Sequence, residues 1–95
     1  MKKCSSITFT GHALRRMFER GLSNNEVLFV IQTGEVIMDY PDDRPHPSQL
    51  RLGWVGEKAI HVVVSQASRN DACYVVTAYY PALAIWADDF KTRRS

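Results

Sequence analysis

QLRLGWVGEKAIHVVVSQ, residues 49–66, places an apolar run on either side of a glycine, and the length of the turn at Gly56 decides which side chains share a sheet face. β-Branched and aromatic residues favour extended chain, so strands are expected near Gln49 to Val55 and Lys58 to Gln66. A two-residue Gly56-Glu57 turn pairs Leu52 with His61. A three-residue turn that includes Lys58 pairs Gly53 with His61 and collects Leu50, Leu52, Trp54, Ile60, Val62 and Val64 on one face. The second register gives the cleaner apolar alternation. It leaves Arg51, Gly53, His61, Val63 and Ser65 on an open sheet surface with a histidine at its middle.

Downstream, the polar loop Ala67 to Ala72 leads into a strand near Cys73 to Tyr80, and the tail from Pro81 to Ser95 has no decided pattern, with Trp86 and Phe90 as its anchors. Upstream, Val36, Ile37 and Tyr40 favour a strand that Pro41, Pro45 and Pro47 bring to a stop. Ser23-Asn24-Asn25-Glu26 reads as a capping box that starts a helix carrying Val27, Leu28, Val30 and Ile31 inward and ending at Gly34. An earlier helix runs from a cap at Thr10 or Gly11 to Gly21, after a short strand over Ile7 to Thr10. On its wheel Arg15, Glu19, His12, Arg16 and Arg20 form a polar arc opposite Ala13, Leu14, Met17 and Phe18.

With 95 residues, 45% of them hydrophobic, residues 1–95 suffice for a single domain with one modest core. No apolar run approaches the roughly 20 residues of a membrane span, and the expected location is cytoplasmic. Cys4 and Cys73 are too few and too far apart for a disulfide framework and are expected to be free thiols. A net charge of +2 is too mild to define a nucleic-acid binder, but Arg15, Arg16 and Arg20 share one helix and Lys91, Arg93 and Arg94 close the chain.

Three types of side chain here can do chemistry. His12, Arg16 and Arg20 recur at every fourth position, the spacing of neighbours on one helix face, where two guanidiniums can grip a phosphate or pair with nearby acids. His61 is either a half-buried core histidine or a general acid or base. Together with His12 it would suit proton transfer at an RNA 2'-hydroxyl and at the leaving oxygen. Tyr79 and Tyr40 are either core rim or groups that stack and donate hydrogen bonds. His46, between two prolines, is expected in an exposed loop. No metal-ligand spacing, P-loop, dinucleotide turn or nucleophile elbow is present, and neither metal nor cofactor is expected.

His12-Ala13-x-x-Arg16-Met17-x-x-Arg20-Gly21, Tyr40-Pro41-Asp42-Asp43, His61-Val62-Val63-Val64 and Val76-Thr77-Ala78-Tyr79-x-Pro81 resemble the pattern of a widespread bacterial family catalogued as a domain of unknown function. That family is similar in element order to the RelE/ParE-like toxins, with BrnT, HigB and MqsR. The resemblance implies an α+β fold, two N-terminal helices packed on one face of a curved antiparallel sheet of about four strands. It implies a ribonuclease toxin of a toxin-antitoxin pair, its partners RNA, with or without the ribosome, and a cognate antitoxin of small zinc-finger type. The strands offer few cations beyond Arg51, so the expected site takes His12, His61 and Tyr79 as catalytic groups and Arg16, Arg20 and Arg51 as RNA contacts. Two further readings stay open: a non-catalytic binding module, ParE-like or antitoxin-docking, and a housekeeping domain whose histidines and arginines hold the fold.

Overall fold

Thr10 and Ser23 start the two helices. The Thr10 hydroxyl accepts the Ala13 N–H at the head of α1 (Gly11–Arg20), and Ser23 and Glu26 form a reciprocal capping box at the head of α2 (Asn24–Thr33). Gly21 ends α1 in the left-handed conformation, φ 70°. In the computed structural model, which describes residues 1–95, these helices join five strands: β1 (Ser6–Phe9), β2 (Glu35–Tyr40), β3 (Ser48–Val55), β4 (Lys58–Gln66) and β5 (Ala72–Tyr79).

The sheet corrects the expected architecture. It has five strands in the order β1-β5-β4-β3-β2, and it is mixed, because β1 runs parallel to β5 while the other pairs are antiparallel. A four-stranded antiparallel sheet of RelE/ParE-like type is therefore not what the chain builds. The difference lies at the N-terminus. Ile7 and Phe9 pair with Cys73 and Val75, and the Thr10 hydroxyl donates to the Val75 carbonyl, 65 residues away in sequence. A four-residue segment carries no sequence signal for so distant a partner.

Register is the second correction. Gly56, with φ 61°, opens a two-residue turn with Glu57, and Leu52 stands opposite His61 while Gly53 stands opposite Ile60. Apolar alternation misassigned the pairing because both sheet faces are buried. Ile60, Val62, Val64, Cys73, Val75 and Ala78 face the helices and meet Ala13, Met17, Val27, Val30 and Ile31 in one core. Gly53 lies on that face too, so close to α2 that a Cβ would stand 2.7 Å from Val30 Cγ2. Leu50 and Leu52 are equally buried, on the opposite face.

That opposite face is not covered by the helices. The C-terminal segment crosses it, with Phe90 edge-on to Trp54, Trp86 buried and Lys91 paired to Glu35 at 2.9 Å. His46, expected to be exposed, is partly buried and stacks on Tyr74 at 5.7 Å.

Two smaller expectations also change. Leu14 and Phe18 do not point inward, since α1 sends only Ala13 and Met17 into the core and leaves Phe18 88% exposed. Cys4 and Cys73 are not free but form a disulfide. Their distance in sequence, 69 residues, gave no hint that β1 would carry Cys4 alongside β5. No helix is long and apolar enough to cross a membrane.

Candidate functional site

The cross-strand register that sets Leu52 and Tyr79 on either side of His61 points its imidazole away from the helices. The ring is fully buried and is not on an open surface. Trp86 packs edge-on against it at 4.6 Å. Nε2 lies 2.8 Å from the Phe90 carbonyl oxygen, which can only accept, so Nε2 carries the hydrogen. Nδ1 is thereby left as an acceptor for the Tyr79 hydroxyl, 3.2 Å away. Burial pushes the His61 pKa below its ordinary value, and the Phe90 hydrogen bond opposes that only in part. The imidazole is neutral near pH 7.

Tyr79 is half-buried, so of this pair it is the residue that reaches solvent. Burial raises its pKa, a negative charge on Tyr40 would raise it further, and the positive charges of Arg93 and Arg20 lower it. Those two cations arrive from opposite ends of the chain. Arg20 donates from Nη1 to the Ala78 carbonyl at 2.9 Å, and the Arg93 guanidinium lies over the Trp86 ring at 5.4 Å. On the far side of Tyr40 a cavity of about 580 Å³ opens, lined in part by Asp42, Asp43, Ser48 and Val63. Ser48 Oγ donates to Asp43 at 2.6 Å and holds the Pro41–Pro47 loop against the sheet.

The expected site residues divide across the fold. His61 and Tyr79 meet, and Arg20 joins them through Ala78. His12 does not. It is exposed in the first turn of α1, in the helix layer, with the sheet between it and the His61 ring. Arg16 turns to Glu19 in an exposed pair at 3.4 Å. Arg51 faces the helices and donates to the Ile31 carbonyl at 2.6 Å, so it too lies across the sheet from Tyr79. Sequence reasoning missed Arg93 and the Phe90 carbonyl as parts of this site. Their signals in the sequence were Phe90 as an expected anchor of the tail, with Trp86, and Arg93 in the basic cluster that closes the chain, and neither says which strands the tail meets.

The model of a family described as a domain of unknown function, DUF4258, matches residues 9–80. The chain belongs to this family. The matched span of the DUF4258 domain takes in both helices, strands β2 to β5, His61 and Tyr79, whereas Phe90 and Arg93 lie beyond it. No curated protein and no solved structure matches the chain.

Proposed function

We infer that this DUF4258 domain is a ribonuclease that cleaves by transferring the 2'-hydroxyl proton through Tyr79 to His61. The observation that carries this reading is the one-way hydrogen-bond chain from Tyr79 through His61 Nδ1 and Nε2 to the Phe90 carbonyl. In the first step the 2'-oxygen attacks phosphorus while its proton passes to Tyr79 Oη and the Tyr79 proton passes to Nδ1. The bond to the 5'-oxygen breaks, that oxygen takes a proton from solvent, and a 2',3'-cyclic phosphate remains. Imidazolium formed in this way keeps the Phe90 carbonyl as its partner, then returns the proton through Tyr79 to water. Arg20 and Arg93 supply positive charge beside Tyr79 where charge develops on the phosphoryl oxygens.

His61 never touches substrate in this scheme, because it is fully buried. Pairing with an antitoxin, including one of zinc-finger type, and a toxin role belong to the same reading and rest on the sequence resemblance alone. A cytoplasmic location would suit action on cellular RNA, and the Cys4–Cys73 disulfide is the observation that weighs against it, since cytosolic thiols are kept reduced.

The test is cleavage of a defined single-stranded RNA by the purified domain and by Tyr79→Phe, with products resolved to show cyclic phosphate ends. Loss of a general acid-base group costs about 10²- to 10⁴-fold, and that loss is expected with the fold unchanged. Equal cleavage by both proteins would remove Tyr79 from the mechanism.

One observation favours a second reading, a binding module without catalysis. Phe18 and Leu14 stand one turn apart on α1, 88% and 45% exposed, an unpartnered apolar pair outside the Ala13–Met17 face that meets the core. If that reading holds, neither protein in the test cleaves RNA.

A further inference from the structure

On the helix side of the sheet, Arg51 has its charge half-buried without a carboxylate partner. Its Nη1 donates to the Ile31 carbonyl and its Nη2 to Gln49 Oε1 and to Met1 Sδ, each at 3.2 Å, while Nε is buried with no partner at all. A guanidinium withdrawn from water ordinarily takes a carboxylate or phosphate as counter-ion. Here it opens instead on a cavity of about 570 Å³ whose other charged lining residues are Lys2 and Lys3, and no acidic side chain lines it.

The cavity is built rather than incidental. Its outer wall is the N-terminal segment, and Gln66 fixes that segment by accepting the Lys2 N–H at 2.9 Å and donating to the Lys2 carbonyl at 3.0 Å. The Cys4–Cys73 disulfide fixes it a second time. Lys2 also lines an adjoining cavity whose other lining residues include Asp39 and Asp71. Lys3 and Arg51 are left as two cations without an acid, and Ile7 and Ile31 complete an apolar floor.

We propose that this cavity is an anion site for a dianionic phosphate group, held by Arg51 and Lys3 and closed by the N-terminal segment. It lies across the sheet from Tyr79 and does not depend on the ribonuclease reading. Two charges match a phosphate monoester better than a phosphodiester, which carries one. The shared chemistry, a terminal phosphate, has two sources: the free ion and the phosphorylated end of a nucleotide.

Calorimetric titration of the full chain with its disulfide intact, at pH 8, where a phosphate monoester is doubly charged, decides between outcomes. Inorganic phosphate and a dinucleotide bearing a 5'-phosphate are the two probes, with the same dinucleotide lacking that phosphate as the control. Saturable binding is expected for at least one phosphorylated probe, weakened about tenfold or more in Arg51→Gln and in Lys3→Ala. Tighter binding of the phosphorylated dinucleotide than of inorganic phosphate assigns the site to nucleotide ends, and equal binding assigns it to the free ion. Lys3 is exposed, so Lys3→Ala keeps the test sound even where Arg51→Gln disturbs the fold. Absence of saturable binding, equal binding of the unphosphorylated control, or affinity unchanged in Lys3→Ala overturns the proposal.

Discussion

His61 and Tyr79 face each other across the β4–β5 ladder with ring centroids 5.3 Å apart, and each imidazole nitrogen has one partner that fixes its proton. The pair ties the C-terminal segment to the sheet, because the second partner is Phe90.

Acid should loosen that tie. Burial holds the His61 pKa in the folded chain below the ordinary 6.5. Protonation therefore favours the unfolded chain. Stability from this group is complete above about pH 6.5 and is lost as pH falls toward the folded pKa, at no more than about 1.4 kcal/mol per pH unit. Thermal denaturation of the wild type between pH 8 and pH 5 should show the decline, and His61→Gln should flatten it. A decline of equal slope in His61→Gln would assign it to other groups.

The cations around Tyr79 can be checked without any substrate. Arg93 and Arg20 both lower the Tyr79 pKa, so Arg93→Ala and Arg20→Ala should each raise it further. NMR titration with ring-labelled tyrosine reads this directly. In the RNA assay the same variants should lose about 10- to 100-fold in rate, from weaker stabilisation of phosphoryl charge.

Close approach of α2 to the sheet makes two glycines sensitive for different reasons. A methyl at Gly53 meets the Val30 side chain, which can be shortened, whereas one at Gly34 meets the Val30 carbonyl oxygen and, at 2.8 Å, the Leu52 carbonyl oxygen. Gly53→Ala should cost about 1–3 kcal/mol by urea denaturation, with Gly34→Ala costing more. Combining Gly53→Ala with Val30→Ala should be less damaging than the sum of the two, and Gly34→Ala should show no such relief.

Reduction should weaken the fold strongly. The Cys4–Cys73 disulfide closes 69 residues, for which loop-closure entropy predicts about 4 kcal/mol. Cys4→Ser should match the reduced wild type in denaturant midpoint, and the reductant should have no further effect on that variant.

Local chemistry was legible in the residues wherever it was self-contained. The Ser23-Glu26 box, the stop at Gly21 and the turn glycine at Gly56 are decided within a few residues, and each stands where the sequence puts it. The hairpin register was not legible, because alternation identifies one buried face and this sheet buries two. Leu50 and Leu52 are buried as their alternation expects, but on the face away from the helices and not with Ile60, Val62 and Val64. The His12/Arg16/Arg20 stripe had the right spacing for a clamp, but spacing along a helix does not say which side of the sheet the helix occupies. Only Arg20, at the C-terminal end of α1, reaches the β5 backbone next to Tyr79.

The parallel pairing of β1 with β5 imposes an order on how the chain is made as well as on how it is held. Ile7 and Phe9 leave the ribosome long before their partners Cys73 and Val75, which are among the last strand residues to emerge. The β2–β3–β4 meander, with its adjacent antiparallel neighbours, can close while synthesis continues. The first strand has to wait with its apolar side chains uncovered, and Cys4 with it, so protection of that nascent strand is a requirement this topology places on the cell.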